Sequence, residues 1–185
     1  MSKTAFKEFI EKEKAIDAEN RSFDWEGKKQ AYLRYLDKFF ADVEKYLHEY
    51  ITSKTLRIEK NVTTIEEEYI DKYEVPTWRI YLYSKHVDLV PVGTNIVGSP
   101  GRVDLRGVIK SVRFILADKK EKSPQVFVGI SWAPIDKKQM QKNGEEWIRR
   151  KRDYVWKIIT DPPDIRFLDF NEDRFLSLLQ EVLDG

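Results

Sequence analysis

Cysteine is absent from the 185 residues, which excludes disulfides, thiolate nucleophiles and metal centres held by cysteine. Histidine is nearly absent. The two that occur, His48 and His86, are far apart and lack a second ligand at helical spacing, so neither a histidine metal site nor a hydrolase triad is expected. No run approaches the roughly eighteen apolar residues of a membrane span, and the start, Met1 to Glu8, lacks the apolar stretch of a signal peptide. These absences lead us to expect a cytoplasmic protein that does not bind membranes. An excess of one charge is also missing: 33 Lys and Arg stand against 32 Asp and Glu. That balance argues against a generalised nucleic-acid coat and leaves only local patches.

What is present is apolar and patterned. A hydrophobic fraction of 41%, with 13% aromatic residues, supports a packed core without covalent staples. Residues Thr4 to Ala18 read as a short amphipathic helix with Phe6, Phe9, Ile10 and Ile16 on one side, broken by Asn20-Arg21-Ser22. Asp24 is a good cap for a second, longer helix. From Trp25 to about Ser53, the residues Trp25, Tyr32, Leu36, Phe39, Val43, Tyr46 and Tyr50 recur at steps of three and four. Leu33, Phe40, Leu47 and Ile51 widen that stripe beyond a narrow coiled-coil seam. Such a rod must lie along the whole body, bend, or offer one end to a partner.

After Lys54 the period falls to two. Leu56 and Ile58 open a first strand, and Ile65, Glu67, Tyr69, Asp71, Tyr73 and Val75 read as a second, with Pro76 ending it or placing it at an edge. Further strands are expected at 78–83, 87–92, 102–108, 112–117, 126–132, 154–159 and 165–170. The short links favour antiparallel hairpins. Asn171 caps a closing helix with Phe175, Leu176, Leu179, Val182 and Leu183 on one side. The fold class is therefore α+β: a mostly antiparallel, strongly curved sheet against a long N-terminal helix, with a short C-terminal helix. We read residues 1–185 as one domain, with a helical part over 1–53, the sheet over 54–170 and the last helix over 171–185.

Four places could carry chemistry. Gly93 to Gly101 has the two glycines of a phosphate loop, but Ser99-Pro100 stands where its lysine belongs; a tight loop between strands is the expectation. The run Glu66-Glu67-Glu68 lies on a strand, where successive side chains diverge, so it cannot gather on one ion and reads as a solvated edge. Asp104 on one strand, then Asp118 and Lys120 at the end of the apolar strand Phe114-Ile115-Leu116-Ala117, form an acid followed by an acid-x-Lys. Over about twenty residues this resembles the PD-(D/E)XK nuclease superfamily. The resemblance implies a Mg²⁺ ion held by Asp104 and Asp118, with Lys120 assisting the attacking water. The family's more common Glu is replaced by Asp118, and Glu121-Lys122-Ser123-Pro124 leads to a strand rather than a helix. The competing reading is a solvated hairpin loop.

The last place is the segment 135–153. Asn143-Gly144 is a strong two-residue hairpin signal, about which Trp132 would pair with Val155 and Val128 with Ile159, making a projecting β-ribbon arm. A helix starting at Asp136 is the alternative. Either way Trp147, Arg149, Arg150, Lys151 and Arg152, with Lys137 and Lys138, form the densest basic patch. Guanidinium groups beside an aromatic ring suit phosphate and bases. The functional expectation is a non-catalytic binding or accessory protein that needs no cofactor. It would engage a protein partner, a second copy or nucleic acid through this patch, the long helix, or both. The alternative is the Mg²⁺-dependent nuclease.

Overall fold

The computed structural model describes residues 3–22, 24–94, 99–123 and 153–185. Two helices come first, α1 (Lys3–Ser22) and α2 (Trp25–Thr52). Among the described residues seven strands follow: β1 (Arg57–Glu67), β2 (Ile70–Leu82), β3 (Lys85–Gly93), β4 (Arg102–Arg106), β5 (Ser111–Asp118), β6 (Tyr154–Ile159) and β7 (Phe167–Asp169). Helix α3 (Glu172–Asp184) closes the order. The strands pair in chain order as one antiparallel meander, open between β1 and β7. This is the expected α+β architecture.

Helix α2 forms where the apolar steps of three and four predict it. The Asp24 side chain accepts a hydrogen bond from the Gly27 N–H at 2.8 Å, satisfying one of the orphan donors of the first turn. At 1.5 Å per residue its 28 residues reach about 42 Å, and most of the apolar side packs against the chain's own sheet and α3. Tyr32, Leu36, Phe39, Phe40, Val43 and Leu47 are all buried. Phe39 sits at the centre, 5.2 Å from the Phe114 ring, 5.0 Å from Trp156 and 5.0 Å from Phe170. Phe175 of α3, capped by Asn171, joins the same cluster against Phe114 and Phe170. Helix α1 runs on through Ser22, past the expected break, since three polar residues of middling propensity do not stop a helix. Its Phe6, Phe9 and Ile10 are exposed.

Two strand expectations need correction. The run Ile65 to Val75 is not one strand, because the chain turns at Glu68–Tyr69 and doubles back as β2. Tyr69 takes a left-handed φ of 65° there with its ring stacked 5.5 Å from Trp25. Nor does Pro76 end a strand: it lies inside β2, opposite Val62. The proline acts on the other side. The β2–β3 ladder runs from Leu82↔Lys85 to Trp78↔Leu89 and stops. The next like-phased pair would be Pro76 with Pro91, neither of which has an N–H to exchange. Beyond that point β1 and β2 continue as a two-stranded ribbon, and among the described residues no strand takes the neighbouring edge of β3. Ile159 is paired with Arg113 on one side and Phe167 on the other; Val128, expected opposite it, lies outside the described residues. The expected 126–132 strand and the Asn143-Gly144 hairpin lie outside the described residues.

Candidate functional site

Alternation along β4 divides the sheet's two faces. Val103 and Leu105 are buried on the side of α2, while Arg102, Asp104 and Arg106 point away. The register carries this face across the sheet. Glu59 lies beside Arg79, Arg79 beside Asp88, Asp88 beside Arg106, and Asp104 beside Arg113. Opposite charges on neighbouring strands fall at the distance where such pairs attract. The Arg79 guanidinium grips Asp88 with two bonds of 2.6 and 2.8 Å, which holds its pKa above the ordinary arginine value. Arg102 grips Asp104 in the same way at 2.6 and 2.9 Å, and Arg106 adds a third bond at 3.1 Å. Asp104 is 4% exposed; one carboxylate serves two cations, so positive charge is left over.

At the β1 side Arg57 pairs with Glu59 and lies 3.9 Å over the Tyr81 ring. The Tyr81 hydroxyl donates to Glu59 at 2.8 Å. The hydrogen bonds from Arg57 first, then Tyr81, hold the Glu59 carboxyl below the usual range. Arg113 completes the set, 2.9 Å from Asp161. Arg57, Arg79, Arg102, Arg106 and Arg113 thus share one face, with Tyr81 and His86 between them. Because most of these pairs are solvated, each is worth little as stability and can be exchanged for an incoming carboxylate or phosphate at small cost. The sequence contained this signal as Arg-x-Asp-x-Arg at 102–106, but period two alone does not reveal which strand lies beside which.

The three residues of the nuclease resemblance do not converge. Asp104 is directly opposite Arg113, so the two share a face; Asp118 lies five residues further along β5 and therefore on the other face. At 3.4 Å per residue the strand positions are about 17 Å apart, too far for one Mg²⁺. Instead, Asp104 neutralises two arginines, and Asp118 Oδ1 accepts from the Lys120 N–H at 2.9 Å in a turn, the loop alternative. Among the described residues no three His, Cys, Asp or Glu side chains gather to hold a metal. His48 and His86 are both exposed.

The basic patch of Lys137, Lys138, Trp147 and Arg149 to Arg152 lies outside the described residues, but the chain on either side is well fixed. The β5–β6 ladder runs to Asp118↔Tyr154, and the Lys119 N–H donates to the Asp153 carbonyl at 2.9 Å. Lys157, 3% exposed, donates its ammonium to the carbonyls of Lys119 at 2.9 Å and Glu121 at 2.6 Å. Residues 124–152 are therefore inserted at one end of a hairpin whose base is clamped by a buried cation. Sequence reading misses Lys157, because an alternating strand predicts a solvated lysine there.

A second polar cluster lies where β2 and β3 part. Glu67, read as solvated, instead accepts from the Thr94 N–H at 3.0 and 2.9 Å, from the Thr94 hydroxyl at 3.2 Å, and from the Tyr73 hydroxyl. Tyr32 accepts from the Gly93 N–H at 3.3 Å and donates to the Arg102 carbonyl at 2.8 Å. Side chains thus cap donors on the β3 edge that a strand would otherwise take. Burial raises the pKa of both tyrosines, and at Tyr73 the bond to Glu67 adds to it. Burial also lowers that of Lys28 nearby. The glycines of this loop answer to packing: Gly93 has φ of 131°, and a Cβ on Gly101 would sit 2.5 Å from the Tyr32 ring. The loop joins two antiparallel strands, as expected. No protein-family model, no curated protein and no solved structure matches the chain.

Proposed function

We propose that this is a non-catalytic binding protein that engages an acidic macromolecular partner. The contacts are the arginine-bearing face of the sheet and the basic segment inserted between β5 and β6. The observation that supports this reading best is the gathering of Arg57, Arg79, Arg102, Arg106 and Arg113 on the face turned away from α2. The long helix is the weaker contact along its apolar stripe, since Tyr32, Leu36, Phe39, Phe40, Val43 and Leu47 are buried in the chain's own core. The test is fluorescence anisotropy with a labelled single-stranded oligonucleotide and, separately, a labelled poly-glutamate peptide. Binding to one of them should weaken steeply with salt. Arg106→Glu, and independently Arg149→Ala with Arg150→Ala, should each weaken it about tenfold or more. Absence of binding to both probes at low salt, or binding indifferent to all these changes, overturns the proposal.

A further inference from the structure

Among the described residues the sheet has two end strands, and they are not equally guarded. Strand β7 is three residues long and β1 is eleven. Short strands, prolines and central charges are the usual protection of an edge against pairing with another chain. Strand β1 has no proline, and its middle, Asn61-Val62-Thr63-Thr64, carries no charge and is exposed throughout. Val62 is 65% exposed.

The partner strand β2 sets which groups β1 offers. Val62 faces Pro76, which has no N–H to give. The arrangement that wastes no bond makes this a non-hydrogen-bonded pair, with the N–H and C=O of Val62 turned to the free edge. The same phase puts the donors of Lys60 and Thr64 outward. Charge along β1 is polarised: Arg57 and Lys60 outnumber Glu59 towards its start, while Glu66 lies at its end with Glu68 in the turn beyond, Glu67 being turned inward to Thr94. A copy running antiparallel sets the basic start of each strand towards the acidic end of the other. A parallel copy would set like against like.

From these features we infer that the free edge of β1 pairs antiparallel with β1 of a second copy about a two-fold axis, joining two sheets into one. Such an interface is isologous, and main-chain hydrogen bonds supply its affinity while the end charges set its direction. It does not depend on the acidic partner proposed above.

Sedimentation velocity of the full chain tests it. The wild type should pass from one to two times 22.0 kDa as concentration rises into the range of tens of micromolar, on the order expected of a modest interface. Val62→Pro removes an outward donor and should leave a monomer with unchanged far-ultraviolet circular dichroism. Val62→Lys, which needs no change of backbone, should weaken the dimer at least tenfold. Phe9→Lys on the exposed side of α1 should leave the dimer intact. A wild-type monomer throughout the range overturns the inference. So does a dimer that survives both Val62 changes, or one that only Phe9→Lys abolishes.

Discussion

One face of the sheet is packed with rings beneath α2 and α3; the other carries arginines and carboxylates paired across neighbouring strands. Both faces arise from the same alternation, and their energetics differ by an order of magnitude. On the covered side each ring removes a large apolar area from water and touches several others, so its contribution adds to a shared core. On the far side each ion pair exchanges solvation for Coulomb attraction and nearly breaks even. Stability therefore resides in one face, while the other can change partners without unfolding the protein.

The largest expected break in this contrast is Phe39→Ala. It empties the centre of the aromatic cluster and should lower unfolding free energy by about 3–5 kcal/mol in urea or thermal denaturation. Asp104→Ala comes next, at about 1–3 kcal/mol, because its carboxylate is enclosed by Arg102 and Arg106. The same change frees two guanidinium groups, so binding of the acidic probe should tighten while stability falls. Glu67→Gln should cost about 1–2 kcal/mol, since an amide nitrogen must then face the Thr94 N–H; denaturation against wild type measures it.

A pH effect sharpens the comparison further. The raised tyrosines, Tyr32 and Tyr73, favour the neutral phenol in the folded state. Their contribution is complete below the ordinary tyrosine value of about 10 and is lost as pH rises above it. Thermal stability should decline above that pH, and Tyr73→Phe should reduce the slope. The smallest expected change is Arg79→Ala, within about 0–1 kcal/mol, although it removes one of the cations offered to the partner.

The parts that sequence reading recovered share a physical character. The stripe of α2, its Asp24 cap, the Asn171 cap and most strands are specified by local periodicity and by hydrogen bonds three residues apart. The turn at Glu68–Tyr69 was hidden because neither residue is a usual turn former; Tyr69 is held at positive φ while stacked on Trp25, 44 residues earlier in the chain. Of the two readings of Pro76, the strand end fails and the edge holds: it lies inside β2, where β2 has parted from β3 and, among the described residues, pairs with β1 alone. The acid-x-Lys at Asp118 had the right residue types for a metal site, but the parity of β5 placed it on the wrong face.

The amino-acid order alone determined the α+β class, the long amphipathic rod and the antiparallel run of strands, since period and capping act within a few residues. Only the tertiary structure decided that Asp104 answers two arginines, that Glu67 turns inward to Thr94, and that Lys157 is buried beneath the base of the basic insertion. Those assignments depend on which strand lies beside which and at what register. Register is a property of paired strands, and no single segment contains it.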